Sequence, residues 1–168
     1  MEGSYIVGDC GLKTLKGAPK VIGVSDDTIT FDCSLNWLEN LQYCPEIVYG
    51  DFDFTGNSIT DLTTYLPKQV EMFHGGHLEY VKTLKGIHKM KCLHFNVTFG
   101  DLEEGGIGLI LCFKKRTPIR YLDIMENDDS HGTQALKIIR KYLGAGHAGV
   151  LACQDELIES NLEDFAEL

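Results

Sequence analysis

The sequence predicts an α/β solenoid: a parallel sheet of short strands, one from each coil, closed at its C-terminal end by a helical cap. Three observations carry the prediction. A short apolar motif recurs at near-constant spacing through the first two thirds of the chain, an extended run follows each copy, and the apolar spacing turns helical beyond residue 127. Residues 1–126 are expected to form the solenoid and 127–168 the cap, within one folding unit. A chain of 168 residues with 43% apolar content buries about 70% of its unfolded surface, so it needs neither disulfide nor metal for stability.

The motif opens four segments: Leu12-Lys-Thr-Leu15, Leu35-Asn-Trp-Leu38, Ile59-Thr-Asp-Leu62 and Val81-Lys-Thr-Leu84, starting 23, 24 and 22 residues apart. Each is followed by a run in which apolar and polar residues alternate, at 28–33, 50–54, 69–73 and 93–97. Alternation with period two marks a strand buried on one face. The two apolar residues three apart fit a single helical or 3-10 turn on the return path. A coil of about 23 residues thus supplies one strand, a turn and a return segment. Stacked coils close a narrow core behind a parallel sheet, as in the leucine-rich-repeat class. The apolar runs 109–113 and 120–124 are expected to add two further strands.

In the C-terminal part, Asp128-Asp129-Ser130-His131-Gly132 offers oxygens to the first amides of a helix. Ala135, Leu136, Ile139, Tyr142 and Leu143 then recur at helical spacing, and Gly144 is a natural stop. A second helix is expected from about Ala148, with Val150, Leu151, Leu157 and Ile158 on its apolar side. An open solenoid leaves an apolar end, and two amphipathic helices are a physically sensible cover for it.

The chain resembles the short, irregular leucine-rich-repeat-like proteins of tailed bacteriophages. The residues that carry the resemblance are Leu12-Lys-Thr-Leu15-Lys-Gly17-Ala-Pro19-Lys-Val-Ile-Gly23, then Thr30-Phe31-Asp32-Cys33-Ser34, and the stretch from Cys44-Pro45 through Gly50-Asp-Phe-Asp-Phe54-Thr-Gly-Asn57. It covers about residues 8–125, and the helical C-terminus is similar as well. The chain departs from that pattern between Gln69 and Val81, where the glycine and asparagine turn is missing. The resemblance implies a solenoid fold and a viral setting, with no shared enzymatic activity and no shared catalytic residues.

Charge narrows the partners. Fifteen basic against 25 acidic residues give a formal charge of -10, the wrong sign for general attraction to nucleic acid or to an anionic membrane. From Gln154 onward there are six acids and no base. A basic or neutral protein partner fits this balance. Two basic strips, Lys82-Lys85-His88-Lys89-Lys91 and Lys114-Lys115-Arg116, read as solvated faces. No apolar run reaches the length of a membrane span, and Met1-Glu2-Gly3-Ser4 has no signal-peptide character, so a cytoplasmic setting is expected, the host cytoplasm if the chain is viral. The six cysteines are scattered and read as reduced core or near-core residues.

The motifs that would carry chemistry are weak. Gly144-Ala-Gly146-His-Ala-Gly149 has dinucleotide-loop spacing, but a helix rather than a strand precedes it. His74-Gly-Gly-His77, His88, Cys92 and His94 match no zinc spacing. No nucleophile elbow or Walker loop is present, and adjacent acids such as Asp26-Asp27, Glu103-Glu104 and Asp128-Asp129 mark solvated turns. No metal, cofactor or catalytic residue is assigned, and a non-enzymatic binding module is expected.

Period-two geometry then defines the outer sheet face: Thr28, Thr30 and Asp32, then Asp51 and Asp53, then Glu71 and Phe73, then His94 and Asn96. The candidate protein-binding face is Asp32, Asp51, Asp53, Glu71 and His94, with Phe73 as an apolar anchor for a host or viral protein. Two other classes remain open: an acidic mimic of nucleic acid that blocks a nucleic-acid-binding enzyme, and a metal-dependent enzyme or ligand binder at the His74–His94 region.

Overall fold

The computed structural model describes residues 1–24, 29–100, 102–113 and 130–168. The strands among the described residues are β1 (Tyr5–Ile6), β2 (Val21–Ile22), β3 (Ile29–Asp32), β4 (Ile47–Val48), β5 (Gly50–Asp53), β6 (Met72–Leu78) and β7 (His94–Phe99). They form a parallel-sheet solenoid. One sheet has the order β1-β3-β5-β6-β7, and a narrower one pairs β2 with β4 and continues through single bridges from Ile47 to Gln69 and from Gln69 to Lys91. The register fixes the coil length: Tyr5 pairs with Phe31, Phe31 with Phe52, Phe52 with Phe73 and Phe73 with Phe95, steps of 26, 21, 21 and 22 residues.

Those steps shift the frame of the repeat. The second coil buries Leu38 and Leu41, whereas Leu35 is exposed, so the inward pair is not Leu35 and Leu38. The Trp37 amide donates to the Leu12 carbonyl, and Asn40 bridges to Asp61, which sets Leu38 beside Leu12 and Ile59. One polar side chain in each coil secures the turn at this point. Thr14, Asn40, Asp61 and Thr83 accept from the amides of Lys16, Gln42, Thr63 and Lys85, each two residues on. Short polar side chains of this kind stabilise a turn locally, which is why Thr, Asn and Asp occupy the position.

Two asparagines end the early strands. The buried Asn36 amide donates to the carbonyls of Val7 and Cys33 and accepts from the amides of Cys10 and Leu12. Asn57 does the same one coil later, donating to Cys33 and Phe54 and accepting from Leu38. In the next coil the corresponding residue is Leu78, which cannot capture carbonyls, and the strand runs on. This is the stretch where the sequence lacks its asparagine turn, and β6 and β7 are accordingly seven and six residues long against four in β3 and β5. Gly75 sits in the bulge of β6 because the Phe54 ring lies over it: a Cβ there would come within 2.6 Å of Cζ.

The core behind the sheet is a ladder of rings. Tyr5, Phe31, Phe52, Phe73 and Phe95 follow one another at centroid distances of 5.9, 4.8, 5.7 and 5.5 Å. In-register stacking of one aromatic per coil is the direct result of near-equal coil lengths, and each pair adds stabilisation beyond its buried area.

The run 109–113 is not a strand. Residues Leu109–Cys112 form a helical turn, α1, closed by bonds from the amides of Leu109, Ile110 and Leu111 to the carbonyls of Gly106, Ile107 and Gly108. It occupies the return path, 22 residues after the 3-10 turn Ile87–Lys89, so its apolar residues point at the core from a corner rather than from the sheet. Helix α2 (His131–Arg140) starts at Ser130, whose Oγ accepts from the Thr133 amide at 3.2 Å. Its Gly132 lies so close to Leu102 that a Cβ would be 2.4 Å from the Leu102 carbonyl oxygen. Helix α3 (Gly146–Glu159) buries Gly149, Cys153 and Leu157. Leu151 and Ile158, expected on its apolar side, are 66% and 52% exposed instead, because the small Gly149 and Cys153 define the face that packs on α1 and α2. Lys141 and Tyr142 both bind the Glu156 carboxylate, Tyr142 Oη at 2.6 Å, and clasp α3 to the end of α2. No helix among the described residues is long and apolar enough to cross a membrane. The expected strand at 120–124, the Lys114-Lys115-Arg116 strip, the Asp26-Asp27 and Asp128-Asp129 pairs, and Thr28 lie outside the described residues.

Candidate protein-binding face

The outer face of the main sheet carries two rows. The first is Thr30, Asp51, Met72 and His94, and the second is Ile6, Asp32, Asp53, His74 and Asn96. Asp32, Asp51, Asp53 and His94 therefore stand where the alternation predicts, each half-buried, with Phe31, Phe52 and Phe95 fully inward behind them.

Phe73 does not. It is 0% exposed and stacks between Phe52 and Phe95, with the Phe54 centroid 4.7 Å away, so it is a core ring and offers no anchor. The physical reason is a corner. Val70 and Phe73 are both fully buried and three residues apart, which no single strand allows; the chain turns from the narrow sheet to the main sheet between them and the alternation changes phase. Met72 and His74 take the outward places. Glu71 is exposed, but it lies at this corner before β6, one residue out of the row that begins at Met72.

The three aspartates differ in their attachments. Asp32 Oδ1 accepts from the Ser34 amide at 2.9 Å and from its hydroxyl at 2.7 Å, and Asp53 Oδ1 accepts from the Thr55 amide at 2.9 Å. Both carboxylates thus also hold the chain as it leaves the sheet. Asp51 has no hydrogen bond or ion pair among the described residues, and its charge is free to meet a partner. The carboxylates give way to imidazoles along the sheet: His74 Nδ1 lies 3.7 Å from Asp53 Oδ2, and the buried Nδ1 of His94 has no partner among the described residues. The face is an acidic patch flanked by two histidines rather than a continuous acidic ladder.

The other chemistry-bearing residues do not converge. No group of three or more His, Cys, Asp or Glu side chains among the described residues is placed to hold a metal ion, so His74, His77, His88, Cys92 and His94 form no common centre. The first two lysines of the basic strip are paired by the next coil and the tail: Lys82 with Glu103 at 3.5 Å, and Lys85 with Glu104 at 2.6 Å and Glu167 at 2.7 Å. These contacts hold the Lys85 ammonium well above its usual range and the Glu104 carboxyl below its own. Burial followed by the charges of Lys89 and Lys91 pushes the His88 imidazole down. All six cysteines are free; burial pushes Cys33, Cys44, Cys112 and Cys153 up, Cys44 and Cys153 to about 12, which is the signature of inert thiols.

A feature that the sequence reading passed over lies beyond the C-terminal ends of β3 and β5. Leu35 and Trp37 are 61% and 68% exposed, and Trp37 borders an open cleft of about 390 Å³ with Lys13, Glu39, Asn40 and Ser58. The available signal was the triple Leu35, Leu38, Leu41, of which only two can face inward. No protein-family model, curated protein or solved structure matches the chain.

Proposed function

We propose that the chain is a non-enzymatic protein-binding solenoid whose main sheet face receives a basic protein surface. The observation that carries the reading is the placement of Asp32, Asp51 and Asp53 as neighbours on one parallel face, with Asp51 unpaired among the described residues and a net charge of -10 behind it. Complementary charge speeds encounter and selects the partner, and a flat face of short strands costs little ordering on binding. The asparagine ladder of Asn36 and Asn57 and the 21- to 22-residue coils support placing the solenoid with leucine-rich-repeat-like proteins. The C-terminal helices then act as the cap of its last coil. The resemblance to phage proteins supports a host or viral protein as the partner, with inhibition of host machinery as the proposed outcome of binding.

Affinity capture from bacterial lysate with the native chain and with Asp51→Lys, each at low and high salt, tests the reading. A single partner held by the native chain, released by salt and lost with Asp51→Lys is the expected result. A partner held equally by both chains refutes the sheet face. Capture of a nucleic-acid-binding enzyme that DNA displaces would instead favour nucleic-acid mimicry.

A further inference from the structure

The coils repeat not only their buried residues but also their backbone. Three residues beyond the ends of β1, β3 and β5, one residue takes a left-handed conformation: Asp9 at φ 52°, Leu35 at 53° and Gly56 at 68°. Glycine takes this conformation freely and aspartate tolerates it, but leucine does so only at a cost. Leu35 is the exception in its column, and the fold gains little burial in return, since 61% of it is exposed as it lies across Gly56. Two residues on, Trp37 is the chain's only tryptophan and 68% exposed, in a column where the neighbouring coils carry Gly11 and Ser58. The fold demands neither side chain, because the adjacent coils make the same turn with small residues.

We infer that Leu35 and Trp37 form the apolar anchor of the interface, inserted into a pocket of the same basic protein partner whose charged surface lies on the aspartate face. The inference rests on the proposed binding function and supplies the hydrophobic centre that Phe73 does not. The two parts are continuous in the chain: Asp32 holds Ser34, and Leu35 follows it, its amide donating to the Thr55 carbonyl beside the turn that Asp53 holds. Tryptophan is among the residues most enriched at the centres of protein interfaces. Asp9 and Asp32, both bonded to Ser34, Asp53, which holds Thr55, and Glu39 outnumber Lys13 beside the pair among the described residues, and call for a partner that is basic around its pocket. Strained backbone at an exposed apolar side chain is also characteristic of sites kept for function rather than for stability.

The test uses peptides selected against the native chain from a random display library, read by Trp37 fluorescence and by affinity. Expected are basic peptides carrying a large apolar residue, whose binding shifts Trp37 emission to the blue. Leu35→Gly and Trp37→Ser each install what the next coil already carries, so both variants fold, and each weakens these peptides by about tenfold or more, the size of a hot-spot loss. Unchanged Trp37 emission, equal affinity for the variants, or selection of acidic peptides or of none overturns the anchor. If the peptides survive Leu35→Gly and Trp37→Ser but are lost with Asp51→Lys, the acidic face stands and only the anchor falls; if they survive all three, both readings fall.

Discussion

Truncating Phe73 to alanine separates a core ring from a surface anchor. The side chain is fully buried, and removing it takes a ring away from three others at 4.7, 5.5 and 5.7 Å. Phe→Ala in a packed core costs about 3–5 kcal/mol, from lost transfer free energy plus the cavity left behind. Three ring contacts, each worth about 0.5–1.5 kcal/mol beyond area, place Phe73 in the upper half of that range, at about 4–5 kcal/mol. A domain of this size has about 5–15 kcal/mol in total and moves about 2–4 °C in Tm for each kcal/mol, so the variant should melt roughly 10–15 °C lower. Urea unfolding measures the loss, with Phe73→Leu as a milder partner expected to cost about 1–2 kcal/mol. Met72→Ala and His74→Ala, on the outward row, should each stay within about 1 kcal/mol. A Phe73→Ala loss below about 1 kcal/mol, or a larger loss for Met72→Ala, would mean that the strand faces the other way and that the corner between Val70 and Phe73 is misplaced.

Asn57→Leu removes the side-chain partner of the Leu38 amide and the Phe54 carbonyl and leaves the Cys33 carbonyl to Asn36 alone, and urea unfolding should show a loss of about 1–3 kcal/mol. Of the six thiols, only Cys10 is exposed, so a native-state thiol titration should find one fast-reacting group, a slow Cys44, and four that react only on unfolding. His88 is held below its usual value by burial and by Lys89 and Lys91, so the unfolded chain binds its proton first as the pH falls. The stability that neutral His88 contributes is therefore full above about pH 6.5 and lost below it, and His88→Gln should flatten the acid-side decline of the native chain; a steeper decline in the variant would reverse the sign.

The solenoid was readable because it is built from spacing, and spacing survives in sequence. The strands at Phe31, Phe52 and Phe95, and the outward aspartates opposite Phe52 and Phe54, follow from alternation alone. The frame of the second coil did not follow, because Leu35, Leu38 and Leu41 offer two equally spaced pairs, and the choice falls to Asn36, which must be buried to bind five backbone groups. The orientation of Phe73 was lost for a different reason: alternation is a property of one strand, and the run from Gln69 to Phe73 spans a corner between two sheets. The helical turn at Leu109 shows the same limit, since a short apolar run suits a return-path corner as well as a strand. The candidate site is half legible: its charges follow from alternation, but Leu35 has the spacing of a repeat leucine and nothing in the sequence marks Trp37 as exposed.

The most direct test of the binding account is a titration of the captured partner against the native chain and against Asp51→Lys at two salt concentrations. Asp51 has no structural partner among the described residues, so its reversal changes charge without disturbing the coil. The account predicts that Asp51→Lys weakens binding by about tenfold or more at low salt and that the gap narrows at high salt, as screening removes the attraction that the native face exerts. Equal affinity of the two chains at both salt concentrations would contradict it.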